Sequence, residues 1–115
     1  YVAKRLADDL FRLSKKYDII VIASSDFTHY ETNDEVHRKD SIAIDNIVDL
    51  NLDSFYGKIF SDNITMCGYG AVGTLIQLSK LMGGKARLLK YATSGDVTGD
   101  KSSVVGYGSI KFERI

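Results

Sequence analysis

Proline and tryptophan are absent from this 115-residue sequence, cysteine occurs once and histidine twice. Without proline there is no stiff extended linker or tail, and no repeat or low-complexity tract interrupts the chain, so residues 1–115 read as a single domain. One thiol, Cys67, closes no disulfide within the chain, which is compatible with a reducing, cytoplasmic setting. An excess of either charge is also missing, because 15 Lys and Arg balance 15 Asp and Glu. No global field therefore draws in nucleic acid or an anionic membrane surface. Long apolar runs are lacking too. Stretches such as Ile19 to Ala23 fall far short of the roughly 20 residues that span a bilayer, and no basic, apolar and small-residue succession marks a secretory signal. An initiator methionine is missing as well: the chain opens on Tyr1 and enters a helical pattern at once, and it is read as a fragment that has lost residues upstream.

What is present is an ordinary globular balance, 44% hydrophobic and 26% charged, enough for one core. Val2, Leu6, Leu10 and Leu13 recur at helical spacing, so Val2 to Lys16 is expected as a surface helix. Ile19-Ile20-Val21-Ile22-Ala23 is a continuous, mostly β-branched run of the kind found in strands buried on both faces, and it is expected as a central strand. Thr32 with Glu35 makes a capping-box pattern ahead of a helix over 33–50. Further helices are expected over 51–60 and 69–82, the last closed by Gly83-Gly84. Strands are expected over 86–92 and 104–112 around a loop dense in turn residues. The pattern predicts an α/β fold, a three-layer α/β/α arrangement around a mixed or mostly parallel sheet, incomplete in this chain.

The chemistry is expected after the first strand, where open α/β sheets place their ligands. Ser24-Ser25-Asp26-Phe27-Thr28-His29-Tyr30 is polar there, and Asp26 is close enough to orient the His29 ring as a general acid or base. Cys67 stands just before the 69–82 helix, whose N-terminus favours a thiolate that could ligate a metal or act as a nucleophile. A lone cysteine is more often a small buried hydrophobe, but Gly68 and Gly70 would let backbone or ligand approach the sulfur. Gly68-Tyr69-Gly70-Ala71-Val72-Gly73 matches G-x-G-x-x-G, yet no strand precedes it and no acidic residue follows at the required distance, so a dinucleotide site is rejected. The Thr93 to Ser103 loop could hold an anion through backbone amides and Lys101, although such loops are usually simple turns. His37, beside Arg38 and Lys39, is expected on a solvated helix face.

Three segments in order, Ser24 to Tyr30, Met66-Cys67-Gly68, and Tyr91 to Asp96 followed by Ser103 to Gly108, resemble the C-terminal part of the MEMO family, with similarity from about Ile19 to Phe112. The resemblance implies a fold like that of the LigB-type, class III extradiol dioxygenases, which open aromatic diols at a non-heme iron. It implies Cys67 as a metal-site thiol, His29 as an acid-base histidine and Asp26 as its neighbour. Iron or copper would be the metal, with the remaining ligands outside this chain. The implied function is metal-dependent redox chemistry on an unknown substrate. The alternative is a non-catalytic module holding a peptide or small anion in the same cleft. A Cys-His hydrolase, with His29 activating Cys67, is a third reading.

Overall fold

The computed structural model describes residues 1–114. Helix α1, Val2–Ser14, buries Ala3 and Ala7, and Ala7, Leu10 and Phe11 lie with Leu75, Leu78 and Met82 in one apolar cluster. Small residues four apart let this helix come close to its neighbour. Helix α2, Asn33–Val48, starts at Thr32, whose hydroxyl accepts from the Glu35 N–H. Its inner stripe is Val36, Ala43, Ile44 and Ile47. Helix α3, Leu52–Ser61, is capped by the Asn51 side chain and buries Leu52, Phe55 and Ile59. Helix α4, Tyr69–Leu81, is buried along most of its length because it packs against α1, α3 and the sheet. Phe55, Ile47 and Ile76 are fully buried at the centre, each contributing roughly 1.5–3 kcal/mol relative to exposure.

Among the described residues three strands form the sheet in the order β1-β3-β2, with β1 at His29–Glu31, β2 at Gly84–Thr93 and β3 at Val104–Arg114. A short helix, α5 (Gly95–Thr98), occupies part of the loop between β2 and β3. The α/β class is as expected, and within the described residues both strand pairings are antiparallel. For β2 and β3 that follows from their short connection, since a parallel neighbour needs a crossover of a dozen or more residues. The long β2–β3 ladder shifts register between Leu88 and Lys90, where Leu89 is an extra residue, a bulge. Among the described residues no helix is long and apolar enough to cross a membrane.

One expected element is corrected. Ile19 to Ala23 does not form a strand, and no β element lies between α1 and His29. The run still carries the two-residue alternation of an extended backbone: Val21 and Ala23 pack against core clusters, whereas Ile20 and Ile22 are 89% and 84% exposed. β-branched residues favour the extended shape, but a strand also needs a partner. The backbone bonds to β3 begin only after this run, where Phe27 N–H donates to the Gly106 carbonyl and Gly106 N–H to that of Thr28. Farther back the two diverge around a cleft of about 290 Å³ lined by Val21, Ile22, Ile110 and Phe112.

Candidate metal centre

Two segments build the site. In the first, Phe27 and Thr28 are buried and anchor the bend, while Asp26 is exposed and His29 half-buried. Gly108 faces the Phe27 ring so closely that a Cβ there would lie 2.9 Å from it. In the second, Ile64 and Met66 are buried and Thr65 and Cys67 are exposed. This alternation is what an extended connector produces when every second side chain is apolar. It turns Thr65 and Cys67 outward together, toward the first segment.

The two segments are tied by hydrogen bonds. Thr65 Oγ1 accepts from the His29 backbone N–H at 2.8 Å, and Ser25 Oγ accepts from the Gly68 N–H at 2.8 Å. Ser25 Oγ also donates to the Asp26 carbonyl at 2.7 Å and lies 3.7 Å from Cys67 Sγ. Gly68 is required here by space. An added Cβ would stand 2.6 Å from the Ser24 carbonyl oxygen and 2.6 Å from Ser25 Cβ, closer than such atoms approach.

The result brings together all three residues singled out from the sequence. His29 Nε2 and Asp26 Oδ2 are 3.6 Å apart. One ligand atom from each of Asp26, His29 and Cys67 lies within 4.8 Å of the others. Asp26 and Cys67 are open to solvent, so a ligand can reach them without rearrangement.

Other expectations divide. His37 is exposed as expected, but its ring also stands edge-on to Tyr91 at 5.0 Å. The turn-rich loop satisfies amides with its own acids: Thr93 N–H donates to Asp96 and Ser102 N–H to Asp100. Those two donors are therefore taken, which removes support from an anion site in that loop. The three glycines of the G-x-G-x-x-G match have unrelated roles. Gly68 admits Ser25, Gly73 admits the Tyr56 phenol, and Gly70 faces open space. Of the approach expected at Gly68 and Gly70, the close backbone is found at Gly68, and Gly70 leaves open space.

Sequence reasoning passed over Ser25, Thr65 and Asp40. Thr65 had a readable signal in its alternation with Ile64 and Met66. Asp40 had one too, since it falls four residues after Val36 and four before Ile44, on the apolar stripe of α2. It is fully buried. Its Oδ1 accepts from the Thr28 N–H and hydroxyl at 2.9 and 2.6 Å, and its Oδ2 accepts from the Tyr91 hydroxyl at 2.5 Å. Burial, together with the Asp40 carboxylate, pushes the Tyr91 phenol well above its usual pKa, so it remains a donor.

Comparison with known proteins shows the family of the chain. The family model described as Memo-like protein matches residues 1–111. A MEMO1 family protein of Desulfurococcus amylolyticus is 51% identical over 113 residues, covering 96% of this chain and 40% of its own length. One from Thermoplasma volcanium is 54% identical over 109 residues, covering 95% and 40%. One from Methanocaldococcus jannaschii is 46% identical over 114 residues, covering 98% and 38%. The chain thus spans about 40% of the length of these relatives. With the match running over nearly all of its residues, the chain belongs to the Memo-like family.

Proposed function

We propose that Asp26, His29 and Cys67 are part of a metal site that serves redox chemistry related to that of the class III extradiol dioxygenases, with iron or copper as the metal. The observation that carries this reading is the convergence of three unlike ligand atoms within 4.8 Å of one another. Their chemistry fits. A thiolate and an imidazole suit copper, zinc and iron, and metal–sulfur and metal–nitrogen bonds of about 2.0–2.3 Å let groups this close face one ion or a molecule held by it. Cys67 would be the direct ligand, since it is free and exposed and a thiolate binds these metals strongly. A bound iron or copper would supply one-electron chemistry and polarise a coordinated substrate.

The remaining roles fall to the protein. His29 would exchange a proton at Nε2 with a bound substrate, and Asp26 Oδ2, 3.6 Å from that nitrogen, orients the ring. Thr65 holds the His29 backbone, and Ser25 holds the turn that carries Cys67. Further metal ligands come from outside these residues, in the part of the relatives' length that this chain does not span.

Metal analysis of the whole protein and its Cys67→Ala variant tests the assignment. Iron or copper content should fall severalfold in the variant, and equal content in the two would reject Cys67 as a ligand. A second reading draws on the exposure of Asp26 and Cys67: a non-catalytic module that holds a peptide or small anion in the same cleft. It predicts binding that survives chelation with EDTA, whereas the metal reading predicts its loss.

A further inference from the structure

A fully buried carboxylate stands behind the cluster, and neither the metal nor the proton step uses it. Position 40 lies on the inner stripe of α2, between Val36 and Ala43, where an aliphatic side chain would avoid the cost of burying a polar group. Instead the space is built around Asp40. Three donors converge on its two oxygens, and β3 passes it with Gly106, where a Cβ would fall 1.8 Å from Asp40 Oδ2. Two of the three donors belong to Thr28, the residue before His29.

The backbone beyond that point is costly. Tyr30 is 78% exposed and has φ +57°, a left-handed conformation that L residues with a side chain disfavour. Such a conformation persists only where surrounding contacts over-determine it. The contacts are visible in the two residues before Tyr30: Asp40 grips Thr28 by its N–H and hydroxyl, Gly106 N–H grips the Thr28 carbonyl, and Thr65 grips the His29 N–H. Among these, Asp40 alone connects the bend to α2 and, through Tyr91, to β2.

We infer that Asp40 is a positioning residue: by holding Thr28 it sets the bend that directs His29 toward Asp26 and Cys67. Tyr91 is its brace, fixing the second oxygen so that the first stays aimed at Thr28. The role assigned to His29 rests on the metal-site reading, but the effect of Asp40 on the bend does not.

The test uses the whole protein with Co(II) as the probe, read by its thiolate charge-transfer absorption, alongside amide hydrogen exchange of the metal-free protein. Asp40→Ala should lose protection about 10-fold or more at the Thr28 and His29 amides while Ile76 in α4 keeps its own. Co(II) affinity should fall about 10-fold, as when an outer partner of a metal ligand is removed. Asp40→Asn should recover to within about threefold, because the amide oxygen can accept both Thr28 bonds and the amide nitrogen can donate to the Tyr91 oxygen. Uniform loss of protection across the chain, or failure of Asp40→Asn to recover, would reduce Asp40 to general scaffolding and overturn the inference. Unchanged protection at Thr28 would overturn it as well. If Asp40→Ala does not fold, Thr28→Val replaces it: removing the hydroxyl should weaken Co(II) binding, and wild-type affinity would overturn the inference. Wild-type protein that shows no thiolate band would refute the metal reading, while the exchange measurement would still decide the role of Asp40.

Discussion

Replacing Gly68 by alanine tests the construction of the site most directly. The new Cβ would meet the Ser24 carbonyl oxygen and Ser25 Cβ at 2.6 Å each, and Ser25 Oγ at 3.0 Å. Carbon atoms ordinarily keep about 3.5–4.0 Å from one another, so the two segments must separate by roughly 1 Å. The Ser24 contact is backbone and cannot rotate away. Separation stretches or breaks the Gly68 N–H to Ser25 Oγ bond, a loss of about 1 kcal/mol, and crowding brings the total cost to about 1–3 kcal/mol. It also draws Cys67 away from Asp26 and His29. Metal sites hold their ligand distances to within about 0.2 Å, so metal affinity should fall about 10-fold or more. Gly70→Ala is the control. Nothing lies within 4 Å of a Cβ there, and it should be neutral or stabilising by about 0.5 kcal/mol, since alanine suits a helix better than glycine. Denaturant unfolding and competitive metal titration of both variants provide the assay. The reasoning fails if Gly68→Ala retains wild-type stability and affinity, or if Gly70→Ala is equally damaging.

Other outcomes follow from the buried carboxylate. Gly106→Ala should destabilise by about 3–5 kcal/mol, because Asp40 is displaced from its donors and left buried without them. In an Asp40→Ala background the same change should cost clearly less, and additive costs in denaturant melts would show that the two residues do not meet. Stability should also decline in alkali. The Tyr91 phenol is raised above its ordinary value of 10.0 by burial, then by its bond to Asp40. The folded state therefore holds this proton more tightly than the unfolded chain. The associated stability is intact below about pH 10 and is lost as pH rises beyond it. Tyr91→Phe should flatten the unfolding free energy measured between about pH 9 and 11, leaving a residual slope from Tyr56, which burial also raises. An unchanged slope would refute the assignment.

Much of the architecture was legible along the chain because its causes are local. The spacing of Val36, Ala43, Ile44 and Ile47, with Thr32 ahead of them, specifies α2 and its start. Gly83-Gly84 marks the end of α4, and Gly83 takes the positive φ that the ending requires. These patterns act over three or four residues, the reach of a helical turn. The polar run from Ser24 to Tyr30 marked the candidate site by local composition, because it interrupts apolar sequence, although the strand expected before it does not form. Pairing was not legible. Ile19 to Ala23 has the composition of a buried strand, yet its hydrogen-bonding partners are set by what lies beside it in space.

The sequence by itself determined the four longer helices, the Thr32 start of α2 and the Gly83 end of α4, the β2 and β3 strands and the chemical types available at positions 26, 29 and 67. Only the tertiary structure decided that they meet. Ser25 and Cys67 are 42 positions apart and Asp40 and Tyr91 are 51 apart, separations over which no periodicity carries information. Their meeting depends on how α2 and α4 pack against the sheet, with α3 packed on both helices. It depends equally on whether a glycine at position 68 or 106 leaves room where two backbones or a buried carboxylate must pass. Sterics of that kind arise between segments, so they exist only once the chain has folded.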